Sequence, residues 1–250
     1  MALLAIETAT QHLGVAVIVE GRAVSSVEIL AGYPHATELP GAVDRVLKTA
    51  KVALAALEAI IVDIGPGSFT GLRIGLAFAK ALAFPLRKPL VGVASLDVLA
   101  AQAAFSPRTI CPFLDAKRKN VYAARYRVDC GNPIRHSDYL LAPVDDVLQA
   151  INEPTVFLGD GCALYRDRIL ERCPEAQLAP PDLWLPRVAT LGRLGWVKFS
   201  QGHRDDPAAL TPMYLYAQTC QIHLSNRPPG APRQPPHQLL HQPERPPGVG

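Results

Sequence analysis

The stretch Gly65-Pro66-Gly67-Ser68-Phe69-Thr70-Gly71-Leu72-Arg73-Ile74-Gly75 constrains the fold more than any other part of the chain. It follows a mostly apolar run, Ala59–Ile64, interrupted only by Asp63, and leads into Gly71–Phe84, where the only charged residues are Arg73 and Lys80. Such a run, ending in glycines and continuing as a long helical pattern, reads as buried strand, tight loop and helix. Backbone N–H groups can gather around an anion at a junction of this kind. Gly65, Gly67, Ser68 and Thr70 are therefore a candidate anion or nucleotide loop. No Gly-Lys-Ser/Thr closes the loop and it does not match GxGxxG, so it is neither a P-loop nor a dinucleotide fingerprint. A tight turn capped by Ser68 or Thr70 explains the same residues without any ligand.

Within the helix, Leu72, Ile74, Leu76, Phe78, Leu82 and Phe84 spread around the axis instead of forming one stripe. A helix apolar on nearly all sides must be covered on nearly all sides. The sheet covers one side; a second helix or another polypeptide must cover the other. Gly71, Gly75, Ala79 and Ala83 recur every fourth residue and predict a smooth strip for close approach. A helical pattern at Ala36–Lys51, with Leu39, Val43, Val46, Leu47 and Ala50, supplies one neighbour. The expected partner-binding surface is Leu39, Val43, Leu47, Gly71, Arg73, Gly75, Phe78, Ala79 and Leu82, with burial in the chain's own core as the alternative.

The remaining elements repeat. Leu3–Thr8, Leu13–Val19 and Ala23–Leu30 read as an antiparallel meander turning at Glu20-Gly21-Arg22. After the glycine loop and its helix come a strand, Leu90–Val93, and a helix from Ser95 to Ala104. Strands at Ile110–Leu114, Val121–Val128 and Ile134–Leu140 follow, with a turn at Gly131-Asn132-Pro133. Pro143–Ile151 predicts a helix, Thr155–Leu158 a strand, and Ala163–Glu171 and Arg187–Gln201 two further helices. A carboxylate closes the first strand of each half, Glu7 and Asp115. The shared order predicts an α/β protein with two RNase H-like lobes, residues 1–104 and 105–225, each with a mixed sheet. From Asn226 to Gly250 the chain is proline-rich with little to bury, which predicts a disordered tail. His237 and His241 in that tail stand at helical metal-ligand spacing, but the flanking prolines oppose a helix.

Three acidic positions, Glu7, Glu38 or Asp44, and Asp63, fall where a two-metal nuclease would hold its ions. Asp63 lies one residue from its strand's end, which points it away from Glu7. An ATPase of this architecture needs glycine close after the first strand, whereas Glu7-Thr8-Ala9-Thr10-Gln11 has none. No metal site and no catalytic residue are assigned. Lys117-Arg118-Lys119 with Arg125 and Arg127, interleaved with Tyr122 and Tyr126, is the one basic cluster, and it reads as a solvated strand edge or a phosphate contact. Lysine and arginine exceed aspartate and glutamate by 25 to 22, too mild a balance to argue nucleic-acid binding alone. Scattered cysteines without CxxC predict a reducing, cytoplasmic setting, and no run reaches the length of a membrane span.

LLAIETAT at 3–10, GPGSFTGLRIGLAFAKALA at 65–83, VGVASLDVLA at 91–100, LDAKRKNVYAARY at 114–126 and TPMYLY at 211–216 together resemble the TsaB (YeaZ) family. The resemblance implies an ASKHA-type fold, of the actin, Hsp70 and sugar-kinase kind. It implies a non-catalytic scaffold that binds TsaD, joined by the ATPase TsaE, in forming threonylcarbamoyladenosine on adenosine 37 of tRNAs reading ANN codons. Family pairing runs through helices matching 36–51 and 71–84, and a homodimer through the same patch is expected without TsaD. Contact with tRNA is expected to be indirect, cofactors absent except for ATP or ADP at the partner interface, and membranes not involved. An ASKHA-type ATPase or small-molecule kinase is the alternative. Glu7 stands where relatives more often have Asp, and Tyr216 where many have Arg.

Overall fold

The protein's structure is a computed structural model, and it describes residues 1–30 and 35–215. Strands β1 (Ala2–Glu7), β2 (His12–Val19) and β3 (Arg22–Leu30) form the expected meander. Glu20 and Gly21 at its turn both have positive φ, 49° and 76°, the backbone twist that two-residue hairpins favour. β4 (Ala59–Gly65) and β5 (Leu90–Ala94) lie parallel to β1, giving the order β3-β2-β1-β4-β5.

Side chains alternate across this sheet, so it has two apolar faces. Leu4, Ile6, Val15, Val17, Ile60 and Val62 face helices α1 (His35–Ala50) and α2 (Phe69–Leu86). Leu3, Ala5, Ala16, Ile18, Ile61 and Val91 face the opposite way.

The second sheet repeats the plan with β6 (Thr109–Asp115), β7 (Asn120–Ala123), β10 (Leu140–Pro143), β11 (Thr155–Leu158) and β12 (Gln177–Leu178) in the order β10-β7-β6-β11-β12. β6 and β7 are antiparallel, while β11 and β12 run parallel to β6 and to each other, as β4 and β5 do with β1. The fold is a duplicated RNase H-like architecture of the ASKHA type. Helix α3 (Ser95–Gln102) joins the sheets; its Asp97 accepts hydrogen bonds from Tyr126 and Tyr139 of the second lobe. On the second lobe, α4 (Val144–Gln149), α5 (Gly161–Leu164) and α6 (Arg166–Arg172) cover one face of the sheet.

Expectations at three places need correction: the strands of the second lobe, the basic cluster that rides on them, and the lobe boundary. The strand expected at Val121–Val128 breaks at Ala124-Arg125, because Arg125 N donates to Ser137 Oγ instead of to a strand. Tyr126–Asp129 (β8) and Asn132–Arg135 (β9) then form a hairpin that meets β6 only at Ile110–Tyr126, turning at Cys130-Gly131 instead of Gly131-Pro133. The strand expected at Ile134–Leu140 is split between β9 and β10 for the same reason. The basic cluster splits with it: Lys117–Lys119 follow the carboxyl end of β6, while Arg125 and Arg127 lie near its amino end.

The third correction concerns the lobe boundary. Helix α7 (Val188–Ser200) leaves the second lobe and packs Val188, Leu191 and Phe199 on the open face of the first sheet. The chain then pairs Asp205 with Leu90, buries Leu210 beside the α1–α2 side, and donates Met213 N to Ile64 O. A sheet with two apolar faces needs cover on both, and α1 and α2 supply only one. The tail from residue 226, His237 and His241 within it, and Tyr216 lie outside the described residues.

Candidate functional site

The glycine loop is organised by two carboxyl groups beneath it. The pairing Ile6–Val62 of parallel β1 and β4 brings Glu7 and Asp63, each 1 % exposed, to the same end of adjacent strands. Glu7 Oε1 accepts from Ala9 N at 2.7 Å; Asp63 Oδ1 accepts from Gly65 N and Ser95 Oγ, both at 2.6 Å. Neither Glu7 Oε2 nor Asp63 Oδ2 meets a donor while both groups are ionised. Burial first, and then the charge of Asp63, push the Glu7 pKa well above the carboxylate range, so Glu7 keeps its proton and donates it to Asp63. The expectation that Asp63 points away from Glu7 is overturned by this register.

Several of the loop's own donors are engaged within the protein. Ser68 N donates to Ala9 O at 2.7 Å, and Ser68 Oγ caps α2 by accepting from Gly71 N at 3.2 Å. Capping by Ser68 starts the helix at Phe69, two residues earlier than the sequence pattern alone indicates. A Cβ on Gly67 would sit 2.3 Å from Ala9 O, and one on Gly71 would sit 2.1 Å from Thr8 O. Gly65, Gly67 and Ser68 thus form a packed turn against the segment after β1, with Thr70 exposed at the helix start. The amides of Ala9, Gly65, Ser68 and Gly71 have protein acceptors and are not available to a phosphate.

The small-residue strip also faces inward. Gly71, Gly75, Ala79 and Ala83 are buried, and a Cβ on Gly75 would meet Thr8 Oγ1 at 2.1 Å. Leu39, Val43 and Leu47 of α1 belong to the same internal core. These expected contact residues are occupied by the chain's own sheet, because the glycines let α2 settle directly on the turn after β1. Of the expected set, Arg73 is exposed, while Phe78 and Leu82 are half-buried.

A second stripe takes their place. Ile74, Ala77, Phe78 and Ala81 follow the i, i+3, i+4, i+7 spacing on the outer side of α2, with Ala77 and Ala81 exposed. Phe69 (54 % exposed) and Phe84 (56 %) close its two ends. At the first end the Arg73 guanidinium lies 3.8 Å over the Phe69 ring, and its Nε donates to Tyr214 Oη at 3.0 Å. Sequence reasoning missed Phe69, Ala77, Ala81, Phe84 and Tyr214. The signal for the first four was the phase of the glycines, which fixes the inner side once the strand-to-helix turn is recognised.

Between the lobes lies a cleft of about 260 Å³ lined by Thr10, Gln11, Ser68, Asp115, Lys117 and Asp160. Asp160 Oδ1 accepts from Asp115 N at 2.8 Å, and Lys117 Nζ lies 2.6 Å from Asp115 Oδ2. Burial raises the Asp160 pKa. Glu7, which closes β1 as Asp115 closes β6, turns its carboxyl to Asp63 and not to this cleft. Glu38 and Asp44 stay on the exposed side of α1, Asp44 paired with Lys48, so the nuclease carboxylates do not converge. Among the described residues no group of three or more His, Cys, Asp and Glu is placed to hold a metal. Cys111 is buried in β6, where burial pushes its thiol up to about 12 and leaves it unreactive. By length and hydropathy α2 is the one helix among the described residues long enough and apolar enough to cross a membrane. Its inner side packs on the chain's own sheet.

The model of the family "TsaD: tRNA N6-adenosine threonylcarbamoyltransferase" matches residues 29–203. The tRNA threonylcarbamoyladenosine biosynthesis protein TsaB of Bacillus subtilis is 33% identical over 226 residues, 89% of this chain and 91% of that protein. The TsaB of Haemophilus influenzae is 27% identical over 227 residues, 86% of this chain and 93% of that protein. The solved structure of YeaZ from Pseudomonas aeruginosa superposes with a TM-score of 0.75 at 30% identity, covering 86% of this chain and 99% of that one. The packed glycine turn, the duplicated β3-β2-β1-β4-β5 order and these likenesses agree: the chain belongs to the TsaB (YeaZ) family, within the wider family that the TsaD model describes.

Proposed function

We propose that this chain is a non-catalytic scaffold subunit in tRNA threonylcarbamoyladenosine biosynthesis, and that it docks on a TsaD-type protein through the outer side of α2. The observation that carries the reading is the second apolar stripe, in which exposed Ala77 and Ala81 and half-buried Ile74 and Phe78 lie between the exposed rings of Phe69 and Phe84. Exposed contiguous apolar surface on a folded domain marks an interaction site. A partner built on a related fold, as the TsaD model's match to this chain suggests, would present a comparable helix pair. Without that partner, two copies of this chain are expected to pair through the same stripe, in a concentration-dependent dimer.

TsaE joins the assembly through TsaD, tRNA is held by the partner, and the work takes place in the cytoplasm. Nucleotide, if bound, sits at the interface with the partner. The ATPase reading loses its motive with Glu7 turned inward.

The test is Ala81→Arg, which places a long cation on the exposed stripe with a residue that favours helices. Co-purification with the TsaD-type partner should be lost, and so should support of tRNA modification in a reconstituted system. The variant's own stability should stay within about 0.5 kcal/mol of the parent. An undiminished complex would reject the docking face. ATP turnover by the purified chain alone would reject the non-catalytic role.

A further inference from the structure

At the carboxyl end of α2 the surface dips into a shallow trough of about 570 Å³, floored by Ala83 and Phe84 and edged by Arg87, Lys88, Arg204 and Asp205. Its charges divide by whether they are engaged. Asp205 Oδ2 accepts from Gly92 N at 2.8 Å and its Oδ1 lies 3.3 Å from His203 Nε2. The neighbouring Asp206 accepts from Ala208 N at 2.9 Å. Arg204 folds over the Phe199 ring and donates to the carbonyls of Phe199 and His203. In contrast, the side chains of Arg87 and Lys88, and of Lys80 one turn before Phe84, make no ion pair or hydrogen bond with the described residues. No acidic residue occurs anywhere in Phe69–Leu86 to balance them. Arg87, Lys88 and Arg204 outnumber Asp205 and Asp206 in the lining, so the trough's net charge is positive.

Arg87 adds an independent sign. It is the C-cap of α2 in the left-handed region, φ 52° and ψ 42°. Glycine is the ordinary occupant of that conformation, and a side chain there is held at a conformational cost. The cap holds a guanidinium at the trough's edge in that conformation. Phe84 also continues the outer stripe from Ala77 and Ala81 at helical spacing, so the trough and the stripe form one surface.

We propose that this trough receives a carboxylate-bearing segment of the protein that docks on α2, its acids beside Arg87 and Lys88 and an apolar side chain on Phe84. The inference rests on the docking reading above and adds the charge that the partner must carry. A small anion such as a nucleotide is the poorer fit, because the trough is open and its aromatic floor gives phosphate no donor. Charges at such a rim act chiefly on association and its salt dependence.

The experiment is titration of the full-length chain with its TsaD-type partner at low and at high salt. Parent, Arg87→Glu/Lys88→Glu, Arg87→Gly and Ala81→Arg are compared. The double charge reversal should weaken binding on the order of tenfold at low salt, with the gap closing at high salt. Arg87→Gly should raise Tm while weakening binding, a combination that a purely structural role for Arg87 does not produce. If these variants bind like the parent with an unchanged salt slope while Ala81→Arg fails to bind, the trough proposal falls and the docking face stands. If Ala81→Arg also binds like the parent, the docking reading falls and takes the proposal with it. Loss of the parent complex on adding ATP at equal ionic strength would assign the trough to a small anion and overturn the proposal.

Discussion

Glu7 and Asp63 face each other in a core that holds no other donor for their outer oxygens, and the retained proton on Glu7 follows from that. The folded chain keeps a proton that the unfolded chain releases above the ordinary carboxylate range. Stability is therefore expected to fall as pH rises from that range toward the raised Glu7 pKa, by about 1.4 kcal/mol for each unit separating the folded and unfolded values. Glu7→Gln replaces the shared proton with an amide N–H that can donate to Asp63 at every pH. Denaturant titrations at pH 5 and pH 8 should show the parent losing stability with rising pH and the variant nearly flat. A parent with equal stability at both would contradict the shared proton. The two carboxylates were legible in the sequence, but their meeting was not. It depends on the β1–β4 register, which no local pattern encodes.

Helix α2 shows what periodicity leaves undecided. Its composition announced that both sides were apolar and that each needed cover, from the chain's own elements or from another polypeptide. It did not announce which side was which, because Gly71, Gly75, Ala79 and Ala83 read equally well as an external strip or an internal one. The close approach of Thr8 to Gly71 and Gly75 decides it. The consequence is a contrast between neighbouring residues. Ala79→Arg buries an unpaired cation against the sheet and should destabilise the fold by several kcal/mol. Ala81→Arg should leave thermal unfolding close to the parent while abolishing the complex. Melting curves of both variants check the phase of the helix, and similar melting temperatures would contradict it. The helix N-terminus was legible as well, since Ser68 was one of two expected caps and proves to be the one used.

Across the molecule, the duplication was visible in the recurrence of element order and in the carboxylate closing each first strand. The two sheets share one strand order, with the β8–β9 hairpin as an addition to the second. The return of the chain to the first lobe was not visible. The pattern from Arg187 to Gln201 announces a helix but not the sheet it covers. Without α7, Leu3, Ala5, Ile61 and Val91 would lie bare on one face of the first sheet. A fragment ending at residue 104 is therefore expected to aggregate or remain unfolded by circular dichroism, and a separately supplied segment 186–215 should improve its solubility. A stable, monomeric 1–104 fragment would contradict this assignment.

The proposed docking side of α2 can be tested most directly by thiol accessibility. In the variant Ala77→Cys, maleimide labelling is followed peptide by peptide, with and without the TsaD-type partner, and the exposed Cys130 of the β8–β9 turn serves as an internal reference. Rapid labelling of residue 77 in the free chain and strong protection in the complex, with Cys130 labelled equally in both, is the predicted result. Equal labelling of residue 77 in a verified complex would contradict the docking role of α2.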